Sequence, residues 1–288
     1  MERAETVGVD HVTTLNGLQA HYVEWGDRQA PAIVLLHGLR SYARTWEPIA
    51  AALLERYRLI ALDHRGRGDS DWDPSGEYFT DSYVSDLEQF ADNLGLARFA
   101  LIGHSMGGTN AIVYAARHPE RVRLAVIEDI GPGSATAGGA ERVKRELADT
   151  PREFETLADA RSYWRSVRAG ISEQALQSRV DHTLRQGPTG NWAWKFDLEG
   201  IARARLDPDP ARQLDLWPSV VALCCPTLVL RGAQSDFLPA STCEEMAARQ
   251  RLLSWTEIPD AGHYVHDDNL AGFLAALRSF LGQHSGEA

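Results

Sequence analysis

Short apolar runs recur along the chain at 32–36, 59–62, 99–102, 124–127 and 227–230. They lack the strict alternation of a half-exposed strand, so each predicts a strand covered on both faces, as parallel strands are. Ahead of them, Asn16-Gly17 separates Val12-Thr13-Thr14-Leu15 from Leu18-Gln19-Ala20-His21-Tyr22. A dipeptide suited to positive φ between two alternating runs predicts a hairpin. Between the apolar runs the pattern becomes helical. Tyr83, Leu87, Phe90, Ala91 and Leu94 recur at spacings of three and four; Thr80 or Asp81 caps the start and Gly95 ends the stripe. A second stripe, Leu270, Phe273, Leu274, Leu277 and Leu281, follows Asp267 and Asp268 and stops at Gly282. Strand and helix alternate over 32–130 and again over 226–282, which predicts an α/β fold around a doubly wound, mostly parallel sheet.

Residues 132–222 break this rhythm. Gly131-Pro132-Gly133-Ser134 opens the segment, and Pro218 and Pro226 bracket its end. Helical composition concentrates at 140–148, 153–169 and 172–186, ahead of a turn at Gly187-Pro188-Thr189-Gly190. The expected division is therefore a core formed by 1–131 and 223–288 with a helical insertion at 132–222. Trp164, Trp192, Trp194 and Trp217, half of the eight tryptophans, fall in the insertion, either fixing it to the core or lining an apolar pocket.

Composition narrows the function. The chain has 288 residues, 44% apolar and 24% charged, the profile of a globular protein. Lys plus Arg number 29 against 40 Asp plus Glu, and the net charge of −11 opposes binding to nucleic acid or anionic lipid. Cys224, Cys225 and Cys243 offer neither a disulfide framework nor a metal-finger spacing, so free thiols of a reducing compartment are expected. The first ten residues hold Glu2, Glu5 and Asp10 without a signal-peptide apolar stretch, and nowhere do about 18 apolar residues run together. A cytoplasmic protein acting on a small molecule, away from membranes, is the expectation; assembly into homo-oligomers is left open.

Gly103-His104-Ser105-Met106-Gly107 follows the apolar run 99–102 and precedes the helix-forming segment 109–117. This is G-x-S-x-G at a strand-to-helix turn. A serine there sits on a strained backbone that glycines on either side make possible, and its hydroxyl lies near a helix N-terminus, where developing negative charge is favoured. No G-x-x-x-x-G-K-[ST] occurs and the glycine spacing does not fit a dinucleotide fingerprint, so no cofactor is expected.

On these residues the chain resembles the α/β-hydrolase superfamily, nearly from end to end. Leu35-Leu36-His37-Gly38-Leu39 is similar to the family's H-G turn at a strand end. By that match the backbone N–H groups of Leu39 and Met106 supply an oxyanion hole. Asp63-His64-Arg65-Gly66-Arg67-Gly68-Asp69-Ser70 resembles the family's D-x-R-G-x-G-x-S loop, which is mostly structural, and 132–222 stands where the family inserts its cap.

A serine nucleophile needs a base and the base an acid partner, in the chain order Ser, acid, His. His263, in Asp260-Ala261-Gly262-His263 after the apparent last strand at 252–258, resembles the family's G-H loop. His37, His64 and His104 precede or adjoin Ser105 and read as supporting turn residues. His266 lies three residues beyond His263 without an H-E-x-x-H pattern, so no metal site is expected. Two acids compete. The commonest family spacing, G-x-x-D, places Ser235 of Gly232-Ala233-Gln234-Ser235 at the acid position, with Asp236 one residue late. Asp129 instead ends the run 124–129, at the carboxyl edge of a predicted strand beside the nucleophile strand, where ligands of open α/β sheets gather. A minority of the family carries its acid in a D-x-x-P stretch like Asp129-Ile130-Gly131-Pro132. Asp129 is preferred and Asp236 is the alternative; Glu128 should point to the other side of the strand.

The expected activity is cofactor-independent hydrolysis of a small ester, lactone, amide or thioester through an acyl-enzyme. Arg40, directly after Leu39, is a candidate for a substrate carboxylate, and Trp164 and Trp192 are candidates for the pocket lining. Hydrolysis of carbon–carbon bonds in vinylogous diketones is the alternative on this scaffold, and a ligand receptor with a silent triad is the alternative outside catalysis. Epoxide and haloalkane hydrolysis are disfavoured, because members that perform them carry an aspartate where this chain has Ser105.

Overall fold

A computed structural model describes residues 8–134, 137–207, 209 and 212–284. The chain opens with β1 (Val9–Leu15) and β2 (Leu18–Trp25), the expected hairpin, with Asn16 and Gly17 both at positive φ, 49° and 86°. Then come β3 (Ala32–Leu36), α1 (Glu47–Leu53), β4 (Arg58–Leu62), α2 (Thr80–Asn93), β5 (Phe99–His104), α3 (Met106–Arg117) and β6 (Val122–Glu128). The segment 132–222 holds α4 (Gly138–Ala148), β7 (Glu153–Phe154), α5 (Leu157–Val167), α6 (Glu173–Thr183), β8 (Leu184–Gln186), β9 (Trp192–Trp194), α7 (Leu198–Leu206) and α8 (Trp217–Val221). The chain closes with β10 (Thr227–Gly232), α9 (Ala240–Arg249), β11 (Leu253–Ile258), α10 (Val265–Asp268) and α11 (Leu270–Gln283).

The main sheet has eight strands in the order β1-β2-β4-β3-β5-β6-β10-β11. Pairing is antiparallel from β1 to β4 and parallel from there on. The continuous apolar runs are explained by what covers them. In β3, Val34 and Leu36 join one buried cluster with Leu87 and Phe90 of α2 and Ile112 of α3. Ile33 and Leu35, on the other face, join a second cluster with Ile49 of α1 and Phe273 and Leu277 of α11. Both faces need apolar side chains, each contributing about 1.5–3 kcal/mol on burial.

The insertion is less purely helical than its composition suggests. Glu153–Phe154 is a strand, and α5 starts only after a capping box formed by Thr156 and Asp159. The end of the expected 172–186 helix is the strand β8, which turns through 187–190 and pairs with β9, giving a second sheet ordered β7-β9-β8. Strands of two and three residues are too short for a period of two to appear in the sequence. Trp194 of β9 packs edge-on against Trp164 and Phe154, with centroids 5.7 and 5.1 Å apart. Trp217, by contrast, packs on the core cluster beside the sheet, with the Arg249 guanidinium 4.2 Å above its ring.

Candidate active site

The strand β5 runs directly into α3, and Ser105 makes the corner at φ 52°, ψ −117°. That left-handed conformation is costly for a residue with a side chain, about 1–3 kcal/mol. It is held by the Ser105 N–H, which donates to the Glu128 carbonyl at 2.9 Å. The flanking glycines are required by approach: a Cβ on Gly103 would stand 2.4 Å from the Gly107 carbonyl oxygen, and one on Gly107 would stand 2.1 Å from that of Leu36.

Asp129 follows β6, also at positive φ (52°), and its carboxylate is fully buried. Oδ1 accepts the Gly232 N–H at 3.0 Å and Oδ2 accepts the Ser235 hydroxyl. His263 lies on the loop between β11 and α10. Its Nδ1 donates to Asp129 Oδ2 at 2.8 Å, and its Nε2 is 2.8 Å from Ser105 Oγ, placed to accept that hydroxyl proton. Phe237 stacks on the imidazole at 3.8 Å. The ring is held on two edges and one face, which leaves one orientation for the imidazole.

Burial sets the protonation tendencies. Desolvation drives His263 below the usual histidine value, with the Arg142 charge acting the same way, so the imidazole is held as the free base that proton abstraction needs. Burial pushes the Asp129 carboxyl up, opposed by its bonds from Ser235 and Gly232. On the other side of Ser105, neither the Leu39 nor the Met106 backbone N–H has a hydrogen-bond partner among the described residues. For Met106 this follows from its place in the first turn of α3, where amides have no intrahelical acceptor.

The family model described as alpha/beta hydrolase fold matches residues 31–270, which includes all of these groups. The chain belongs to this family. A 3-hydroxybutyrate-oligomer hydrolase from Cupriavidus necator is 32% identical over 255 residues, 84% of this chain and 86% of the relative. The sn-1-specific diacylglycerol lipase ABHD11 of Mus musculus is 30% identical over 266 residues, 89% and 82% of the two chains. Among solved structures, E-2-(acetamidomethylene)succinate hydrolase superposes with a TM-score of 0.86 at 23% identity, covering 96% of this chain and all of that one.

The remaining predicted site residues of this hydrolase separate clearly. Asp236 has a half-exposed side chain tied to Arg142 at 2.8 and 3.1 Å, and it makes no hydrogen bond to His263. Arg40 is buried, not set at an open mouth. Its guanidinium is 3.3 Å from Glu146, donates to the Tyr163 hydroxyl and lies 5.1 Å from the Trp164 ring centroid, so its charge is already answered within the insertion. Trp164 is buried in the insertion's aromatic cluster, and Trp192 is half-buried at its edge. His104 Nε2 donates to the His263 carbonyl at 2.8 Å, and the His37 ring bonds the Gly38 carbonyl at 2.7 Å, so both support the turns around the site.

Glu128 points away from Asp129, as the alternation of a strand requires, and binds His266 through its backbone N–H (2.9 Å) and Nδ1 (2.7 Å). This second buried carboxylate–imidazole pair anchors α10, the helix that follows His263. The next residue, Asp267, clamps Arg168 at 2.6 Å and Arg179 at 3.0 Å, tying the insertion to the loop of His263. Sequence reading placed Glu128 but not its partner; the signal was a second histidine at three-residue spacing. His21, Asp63 and Asp69 form the group of potential metal ligands among the described residues. Both His21 nitrogens already bond carboxylates, Asp63 at 2.7 Å and Asp10 at 2.9 Å, which suits a protonated ring without a free lone pair. Among the described residues no helix is long and apolar enough to cross a membrane.

Proposed function

We propose that this hydrolase is a cofactor-independent serine hydrolase that cleaves a small ester, lactone, amide or thioester through an acyl-enzyme. Ser105 is the nucleophile, His263 the base, Asp129 the acid that orients it, and the Leu39 and Met106 N–H groups the oxyanion donors. The observation that carries the reading is the unbroken path from Ser105 Oγ through His263 to Asp129, with both links at 2.8 Å. His263 takes the hydroxyl proton as Ser105 Oγ bonds the carbonyl carbon. The imidazolium returns that proton to the leaving group as the tetrahedral intermediate collapses, and water then repeats the sequence to free the acid. The segment 132–222 acts as the cap over the site, with its buried aromatic cluster as an apolar wall. Relatives named as hydrolases of a hydroxybutyrate oligomer and of a diacylglycerol support an acyl substrate for this chain.

The test is labelling by a fluorophosphonate together with turnover on a panel of short-chain esters, lactones and thioesters. The parent protein should do both, and Ser105→Ala neither. A Ser105→Ala protein that still turns over or still labels refutes the assignment.

A further inference from the structure

The loop 63–70 carries two buried arginines whose surroundings differ. Arg65 is a structural arginine with acids to match: Nε donates to Asp86 at 2.6 Å and NH1 to Asp73 at 2.7 Å. Arg67 is fully buried and forms no ion pair with any carboxylate among the described residues. Its donors meet neutral acceptors only: the Leu39 carbonyl at 3.2 Å, the Arg65 carbonyl at 2.9 Å, the Tyr83 hydroxyl at 2.6 Å and the Met106 sulfur at 3.6 Å. The Tyr78 and Tyr83 rings lie 5.3 and 5.2 Å from its guanidinium carbon. Asp197, on this side of the insertion, is taken by the Tyr78 hydroxyl at 2.8 Å. The other charged neighbour, Arg205, is a second cation, and buried His64 is held well below the usual histidine value by burial, with Arg67 acting the same way.

A buried charge without a counter-ion costs several kcal/mol, and proteins seldom carry one without use. The two residues that Arg67 grips from below, Leu39 and Met106, are those whose backbone N–H groups are unpartnered at the Ser105 corner. The Leu39 carbonyl lies in the Leu39–Arg40 peptide, which shares the Leu39 Cα with the Gly38–Leu39 peptide that carries the Leu39 N–H, so holding that carbonyl restricts how the Leu39 N–H can turn. Away from water, an arginine charge acts on a developing anion with little screening. We propose that Arg67 is a positioning residue of the oxyanion site, holding the Leu39 and Met106 donors and supplying the unneutralised positive charge that the alkoxide answers. The proposal rests on the reading of Ser105 as an acylating nucleophile. The negative charge exists in the tetrahedral intermediate and not in the substrate, so the effect of Arg67 falls on kcat and not on KM.

The experiment compares Arg67→Lys, Arg67→Gln and Arg67→Met with the parent on a p-nitrophenyl ester that the parent hydrolyses. It measures kcat, KM, and inhibition by a trifluoromethyl ketone against inhibition by the product acid. The neutral variants should lose about tenfold to a hundredfold in kcat with KM changed by less than about threefold. Affinity for the trifluoromethyl ketone should fall in parallel, while affinity for the product acid holds. Arg67→Lys, keeping the charge, should recover most of kcat. Should Arg67→Met fail to fold by circular dichroism, Arg67→Gln supplies the neutral arm. The proposal is overturned if neutral variants keep kcat, if the loss appears in KM, or if Arg67→Lys falls as far as Arg67→Met. A parent that hydrolyses and labels beside unchanged neutral variants defeats this proposal alone. A parent that does neither defeats the serine-hydrolase reading and this proposal with it.

Discussion

Ser235 donates its hydroxyl to Oδ2 of Asp129, the same oxygen that receives Nδ1 of His263 at 2.8 Å. Ser235 stands at the position where the G-x-x-D spacing puts an acid, so a hydroxyl fills that place and the carboxylate bonded to His263 comes from the end of β6. That hydroxyl is itself fixed by the Phe237 and Leu238 N–H groups, both at 3.1 Å. The Asp129 carboxylate is therefore oriented by hydrogen bonds from β10 and the loop after it.

The first prediction tests that arrangement. Asp129→Asn, with a residue type that tolerates positive φ, should fold and lose about ten-thousandfold in kcat, whereas Asp236→Asn should stay within a few fold of the parent. Adding Ser235→Asp to Asp129→Asn should restore at least about tenfold, because the new carboxylate enters within reach of the same imidazole edge. Steady-state rates on one ester decide it; collapse in Asp236→Asn alone would transfer the role of the acid.

The pH profile follows from burial of His263. As the proposed base His263 must be unprotonated, and burial, with the Arg142 charge acting the same way, holds its imidazole below the usual histidine value near 6.5. The limb of kcat/KM that reports His263 should therefore lie below pH 6.5. Arg142→Met removes a cation that lowers the imidazole and frees Asp236, which raises it, so the limb should move to higher pH. An unchanged limb would show that Arg142 does not act on the base.

Asp267 joins the insertion to the loop of His263, and its carboxyl is held well below the usual range despite burial, by His266 and by the guanidinium groups of Arg179 and Arg168. A carboxylate depressed in the folded state stabilises above its unfolded value near 3.9, and that contribution is lost as pH falls below it. Asp267→Asn should cost about 3 kcal/mol at pH 7 by urea unfolding, and the deficit against the parent should narrow in acid. A deficit independent of pH would point to lost packing instead.

Gly107→Ala should be severe. Its new Cβ would lie 2.1 Å from the Leu36 carbonyl oxygen, a backbone atom that cannot step aside without moving β3. A loss of about 3 kcal/mol or more is expected by thermal or urea melting, together with loss of fluorophosphonate labelling.

The sheet was legible because a strand buried on both faces must be apolar throughout, and Val34 with Leu36 and Ile33 with Leu35 show why each position is constrained. The Ser105 corner was legible because only glycine fits where Gly103 and Gly107 meet backbone atoms. The small sheet of the insertion was not, since two- and three-residue strands carry no readable period. Nor was the state of Arg40, whose pairing with Glu146 joins residues 106 apart in sequence.

By itself, then, the amino-acid sequence determined the alternation of strand and helix, the sharp turn at residue 105 and the glycines and histidine that accompany it, because local sterics and burial leave few other residues possible there. Only the tertiary structure decided which carboxylate reaches the imidazole and left buried Arg67 without an acid among the described residues. Those outcomes depend on where β6, β10 and the loop 63–70 come together, and hydrogen bonds between distant segments leave no periodic mark on the chain.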